Sequence, residues 1–224
     1  DRDSVPFDWQ LTQQYSLIHR LQPACLIGNN HHLTPFPGED IQLFERDVPG
    51  ENKAGLSGQE ISRLPLETCQ TMNGMWGYKV SDTNYKSSAQ LIRLLARTAA
   101  KGANLLLNVG PQPDGSLPET ALARLKEMGE WLRANGEAIY ATEGCDWAAG
   151  DTVVCTKNAD ALFIHLLSEN VDAVTGIPLA KKPKSVTVLT SGEKLPFTFK
   201  NGTLNITNLR ILRRRDNDTS RAAS

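Results

Sequence analysis

Apolar residues recur at helical spacing near the start of the chain, where Trp9, Leu11, Tyr15, Leu17, Ile18 and Leu21 share one face of residues 8–21. Asp8 precedes that face as the expected N-cap. Three shorter apolar runs follow, each ending in polar residues: "PACLIGNNHH" (23–32), "EDIQLFERD" (39–47) through Ile41, Leu43 and Phe44, and "LPLETC" (64–69). A helix is expected over about 87–100. Then comes the most patterned stretch, residues 102–144. "ANLLLNV" reads as a strand buried on both faces, as parallel strands covered by helices are. "PQPDGS" is turn chemistry, with Asp114-Gly115 permitting a tight reversal. A helix opens at Ser116 or Pro118 with Glu119 in its first turn. It carries Leu122, Leu125, Met128, Gly129 and Leu132 on one face and stops at Gly136.

Helices and short buried strands thus alternate up to about residue 142, the grammar of a parallel α/β fold. Four strand candidates are half of what a closed (β/α)-barrel needs. After residue 144 the texture changes. "DTVVCTKNADALFIHLLS" and "KSVTVLTSGEKLPFTFKNGTLNITNL" alternate apolar and polar residues, with turn residues at intervals, as antiparallel sandwiches do. The reading is α/β followed by all-β, with residues 1–143 as the C-terminal half of a (β/α)-barrel and 144–209 as a small antiparallel β-sandwich. Residues 210–224, "RILRRRDNDTSRAAS", are expected to be a solvated tail.

Composition narrows the function. With 24 basic and 25 acidic residues and a net charge of −1, the chain offers no electrostatic case for nucleic acid or membrane binding. No apolar run approaches the ~20 residues of a membrane helix. The four cysteines, Cys25, Cys69, Cys145 and Cys155, have no Cys-x-x-Cys spacing. Cys25 and Cys69 read as buried free thiols. Cys145 and Cys155 flank a hairpin, and whether they pair stays open. The start, "DRDSVPFDW", has neither an initiating Met nor a signal peptide, as though the chain began in the middle of something.

In a barrel, chemistry sits at strand ends. Here those ends carry "GNNHH" (28–32), "FERD" (44–47) with "GEN" (50–52), "MWGY" (75–78) and "NVGP" (108–111). Amides and imidazoles bond hydroxyls, Trp76 can stack on a sugar ring, and a carboxylic acid can protonate a glycosidic oxygen. The His31-His32 pair lacks a third ligand at metal spacing, so no metal or other cofactor is expected.

At these residues the chain resembles a known family. "ANLLLNVGPQPDGSLPETALARLKEMGEWLRANGEAIYAT", with "MNGMWGY", "LPLETC" and "QPACLIGNNHH" upstream, is similar to the end of the catalytic domain of α-L-fucosidases, glycoside hydrolase family 29. The likeness runs nearly to residue 209. It implies retaining hydrolysis of terminal α-L-fucosides on glycans, with an Asp nucleophile and a carboxyl acid/base. Glu45 resembles the acid/base position; Glu51 is the runner-up and Glu39 the third choice. A general acid there needs a raised pKa, and Phe44 and Val48 flank Glu45. The plainer alternative pairs Glu45 with Arg46 or Arg20 on the surface. Asn30, where the family often has Arg, together with His31, His32 and Trp76, are the implied sugar contacts. Glu67 and Asn108 match positions that orient the site, and His165 reads as structural.

The family's Trp-x-Asp-Gly nucleophile motif does not occur; the only Asp-Gly is Asp114-Gly115, and Asp1 and Asp3 lack the flanking residues. The expectation is therefore a C-terminal fucosidase portion, inactive alone, whose partner is the missing N-terminal half of the barrel. The alternatives are a non-catalytic carbohydrate-binding or scaffold module, and an inactive truncated product. Asn201, Asn205 and Asn217 head Asn-x-Thr sequons, which matter only in a secretory host. The family alone suggests a periplasmic or secreted setting.

Overall fold

The computed structural model describes residues 7–209. Asp1, Asp3, the expected tail 210–224 and the Asn217 sequon lie outside the described residues. The chain divides into two compact units, residues 7–71 with 103–108 and residues 72–102 with 109–209.

The first unit opens with α1 (Leu11–Leu21), which buries Tyr15. Its start falls three residues later than the apolar periodicity suggests. Gln10, in the left-handed region at φ 49, is the N-cap, and no side chain caps the helix. Asp8 instead accepts a hydrogen bond from Gln10 N–H at 2.9 Å, which shapes the approach rather than the cap. Strands β1 (Gln42–Glu45), β2 (Leu66–Thr71) and β3 (Ala103–Asn108) form a parallel sheet in that order. β1 alternates, with Gln42 and Phe44 buried and Leu43 and Glu45 half-buried. Burying a side chain such as Phe44 contributes roughly 1.5–3 kcal/mol. Gln42 is buried without penalty, because its amide donates to Glu60 O and accepts from Ser62 N–H.

Two expectations for this unit need correction. "PACLIG" forms no strand, only an isolated parallel bridge between Gly28 and Ile41. Its backbone is otherwise engaged: Ile27 O accepts from Asp40 N–H and Ile41 N–H, while Ile27 N–H donates to the Asp40 carboxylate. β3 is also not buried on both faces. Leu106 is 46% exposed, as suits a strand at the edge of the described sheet.

The second unit contains α2 (Ser88–Ala100) and α3 (Glu119–Asn135). Ser87 caps α2 in a reciprocal capping box with Gln90. α3 begins after Pro118 with Glu119 in its first turn, as read. Its buried face is narrower than read: Ala121 and Met128 are buried, whereas Leu122 and Leu125 are exposed. Gly136 does not stop it in a left-handed conformation; at φ −60 it passes into a 3₁₀ turn over Gly136–Ala138.

The β strands follow: β4 (Glu143–Gly144), β5 (Val153–Lys157), β6 (Leu162–Leu166), β7 (Val174–Pro178), β8 (Phe197–Lys200) and β9 (Thr203–Ile206). They make two antiparallel sheets, β4-β5-β6 and β7-β9-β8. Val153 of β5 shares a core with Val174, Ile177, Leu204 and Ile206 of the other sheet, and Phe197 and Phe199 pack against it. That is a sandwich.

Cys145 and Cys155 are disulfide-bonded. Cys69 is a half-buried free thiol, but Cys25 is exposed, because the strand that would have buried it does not form. His165 is structural. Thr156 Oγ1 donates to Ala138 O at 2.6 Å, which leaves His165 Nε2–H to donate to Thr156 Oγ1 at 2.9 Å. Burial holds the His165 pKa below its ordinary 6.5.

Two tests follow. A Cβ on Gly110 would lie 2.6 Å from Tyr78 N and 2.7 Å from Gly77 C, both backbone atoms, whereas one on Gly129 meets nothing within 4 Å. Gly110→Ala should therefore cost roughly 1–3 kcal/mol, and Gly129→Ala inside α3 should add about 0.5–1 kcal/mol, both read by urea unfolding. The second concerns pH. Because the folded pKa of His165 is depressed, its contribution is intact above the ordinary 6.5. It is lost as pH falls below that value, where the unfolded chain takes the proton first. Unfolding curves between about pH 8 and 5 should show a shallower acid loss in His165→Gln than in the parent.

Candidate active site

Strands β1, β2 and β3 run parallel with Glu45 beside Cys69 and Thr71 beside Asn108, so their C-terminal ends form one edge. Such edges are where parallel sheets present chemistry. Glu45 is the last residue of β1. Arg46 then turns the chain with φ 64, a conformation that costs an L-residue about 1 kcal/mol. Two hydrogen bonds hold it there: Arg46 N–H donates to Cys69 O at 2.9 Å, and Gln70 Nε2 donates to Arg46 O at 2.8 Å. Strain at this point ends the pleat at Glu45.

Of the predicted residues, the structure brings Glu45, Asn30 and His32 together. Asn30 Nδ2 donates to Glu45 Oε2 at 2.8 Å, and His32 Nε2 lies 3.5 Å from the same oxygen. The longer contact is electrostatic rather than a strong hydrogen bond. His32 is itself left-handed, at φ 61, and among the described residues its buried Nδ1 finds no partner. A neutral imidazole carries its one proton where an acceptor waits, so Nε2–H faces Glu45.

His31 does not join them. Its Nε2 faces the Glu39 carboxylate, 3.0 Å from Oε1 and 3.1 Å from Oε2. Leu33 N–H donates to His31 Nδ1, which leaves the ring proton on Nε2. Glu39 also accepts from Tyr15 OH at 2.8 Å and from Phe36 N–H at 3.1 Å, and its side chain is 1% exposed. Both of its oxygens are occupied from within. Glu51 lies beyond the turn, 3.1 Å from the exposed Lys53 ammonium. Glu45 pairs with Asn30 and His32.

Trp76 belongs to the second unit, in the segment between β2 and α2. There Asp82 Oδ2 accepts from Gly74 N–H at 2.9 Å, and the backbone of Gly77 and Tyr78 packs against Gly110. Asn108 ends β3, while Glu67 stands near the beginning of β2. No group of three His, Cys, Asp or Glu among the described residues could hold a metal ion. No helix among them is long and apolar enough to cross a membrane.

Sequence reading missed Tyr15 and Asn29. Tyr15 counted only as part of an apolar helix face, yet its hydroxyl links Asn29 Nδ2, at 2.7 Å, to Glu39. The signal was available, since a buried tyrosine hydroxyl needs a partner. His19 was likewise passed over; its Nε2 lies 3.0 Å from Asp40, whose pKa is held down first by Ile27 N–H and then by His19. Cys69, beside Glu45 in the ladder, has its thiol pKa pushed up by burial first and then by the Glu45 charge.

The strand order and the all-β segment that follows define the C-terminal part of a (β/α)-barrel with a small β-sandwich after it. Comparison with known proteins makes this specific. Residues 2–137 match the family model described as Alpha-L-fucosidase. An alpha-L-fucosidase of Branchiostoma floridae is 34% identical over 139 residues, 58% of this chain and 30% of that protein. The plasma alpha-L-fucosidase of Homo sapiens is 40% identical over 79 residues, 34% of this chain and 17% of that protein. Alpha-L-fucosidase isoenzyme 1 from Paenibacillus thiaminolyticus superimposes with a TM-score of 0.73 at 27% identity, covering 91% of this chain and 52% of that one. A Thermotoga maritima alpha-fucosidase in complex with a mechanism-based inhibitor gives 0.69 at 25%, covering 92% and 46%. The chain belongs to the alpha-L-fucosidase family. It spans about a third or less of the curated relatives it matches and about half of the solved structures.

The thiols offer a check on the site. Cys25 is exposed, and Cys69 is half-buried with a raised pKa. Iodoacetamide at mildly alkaline pH should alkylate Cys25 first, with Cys69 lagging. Glu45→Gln should speed Cys69, because only the thiolate reacts; an unchanged Cys69 rate would mean that the Glu45 charge does not reach it.

Proposed function

We propose that this chain is the acid/base-bearing part of a retaining α-L-fucosidase acting on terminal α-L-fucosyl residues of glycans. Glu45 is the acid/base. One observation carries the reading: Glu45 closes β1 at the C-terminal edge of the parallel sheet with Asn30 and His32 on one carboxylate oxygen. The competing carboxylates are engaged elsewhere, Glu39 from within and Glu51 with Lys53. In the first step Glu45 gives its proton to the leaving glycosidic oxygen as the nucleophile attacks the anomeric carbon. In the second it takes a proton from water, which releases fucose. Asn30 and His32 orient the carboxylate. The nucleophile comes from an upstream half-barrel, the partner this chain works with, because its 224 residues contain no Trp-x-Asp-Gly motif.

Hydrolysis of aryl and alkyl α-L-fucosides tests this. The chain alone and its Glu45→Ala variant should both be silent. Joined to an upstream fucosidase half-barrel, the parent should turn over. Glu45→Ala should then lose about 10²–10⁴-fold on the alkyl fucoside, whose leaving group needs a proton, and less on an activated aryl fucoside. Full alkyl fucoside turnover by the joined Glu45→Ala protein would remove Glu45 from the chemistry.

A further inference from the structure

Four consecutive residues alternate between two carboxylates. Asn29 and His31 turn to one side: His31 Nε2 contacts both Glu39 oxygens, and Asn29 Nδ2 donates to Tyr15 OH, which itself donates to Glu39. Asn30 and His32 turn to the other, where both meet Glu45 Oε2. The alternation begins just after the Gly28 bridge and runs into a bend over residues 31–34. It ends at His32, which the left-handed φ of 61 turns out of line.

We infer that Glu39 is the positioning residue for Glu45: by gripping Asn29 through Tyr15 and His31 directly, it sets the segment that presents Asn30 and His32 to Glu45. The chemistry suits such a grip. A carboxylate is the one side chain that offers lone pairs to several donors at once without a donor of its own. Here it takes Tyr15 OH, His31 Nε2–H and Phe36 N–H in a site 1% exposed, where a partnerless polar group is costly. The Phe36 contact closes the loop on itself, since Phe36 also stacks on His31 with ring centroids 4.3 Å apart. The segment is thus held by helix α1 through Tyr15 and by its own return through Glu39 and Phe36. Geometry at a reacting carboxylate has to be kept to about 0.5 Å, and residues that never touch substrate keep it. The catalytic meaning of the inference rests on Glu45 as the acid/base, but the positioning itself does not.

The test uses the 224-residue chain and needs no turnover. Imidazole nitrogens are followed by long-range ¹H–¹⁵N NMR in the parent and in Glu45→Gln, Glu39→Gln and Tyr15→Phe. Glu45→Gln defines the His32 signature of a changed Glu45 contact. Glu39→Gln puts an amide N–H where a donor now points, so it breaks the grip at nearly constant shape. The expected result is that His31 shifts directly and His32 moves most of the way towards its Glu45→Gln position. His165, in the other unit, should stay where it is. If Glu39→Gln fails to fold, Tyr15→Phe decides. It removes only the hydroxyl between Asn29 and Glu39, and it should move His32 in the same direction by a smaller amount. A His32 signal unchanged in the folded variants would overturn the positioning role, whatever the hydrolysis tests say of Glu45. Conversely, loss of the acid/base reading in those tests would leave the NMR result standing.

Discussion

A carboxylate buried to 1% exposure is the constraint around which the first unit is arranged. Left without donors, a buried carboxylate costs several kcal/mol. Glu39 avoids that cost only if a helix residue, a loop imidazole and a backbone N–H all converge on it. Hydrogen bonds to a charged group are worth about 1.5–3 kcal/mol each, so this convergence competes on equal terms with burial of a large apolar side chain. It also explains why residues 23–32 form no strand. Asn29 and His31 are bound to Tyr15 and Glu39, Ile27 N–H to the Asp40 carboxylate, and Asn30 and His32 to Glu45, and a single bridge from Gly28 to Ile41 is what forms of a ladder.

The parallel sheet supplies the second half of the arrangement. Glu45 is aimed by the pleat of β1, and the pleat is terminated by the strained Arg46, held by Cys69 O and Gln70. Non-glycine residues in the left-handed region are uncommon and tend to gather at functional sites. Two of the six among the described residues stand here, Arg46 immediately after the acid/base candidate and His32 facing it. The second unit meets its constraints differently. Its sandwich core is apolar, and a polar chain runs beside it from His165 through Thr156 to Ala138 O, with burial holding the His165 pKa down.

Much of the fold was legible because periodicity reports burial where one face is buried and the other is wet. Residues 87–100 and the alternation of Phe197 and Phe199 carried that signal, while the Pro-Asp-Gly turn was read from its own backbone chemistry. Where reading failed, apolar spacing had been taken for burial. Leu122 and Leu125 are apolar at helical spacing yet exposed, since spacing says which residues share a face and not which face is covered. Cys25 followed the same error, read as buried because the run around it is apolar.

The residue types of the candidate site were present in the sequence as "GNNHH" and "FERD", and the likeness of the chain to fucosidases was carried by contiguous motifs. By itself the sequence determined the alternating α/β order, the change to antiparallel strands, the family and the short roster of carboxylates. Only the tertiary structure gave each member of that roster its surroundings. Glu39 and Glu45 stand six residues apart at opposite ends of one apolar run, and the family likeness ranked Glu45 above Glu39. The difference is that Tyr15 and His31 close on one, while Asn30 and His32 leave the other at the sheet's edge. Those partners lie between 8 and 24 residues away along the chain, so local pattern could not show which donors each glutamate would meet.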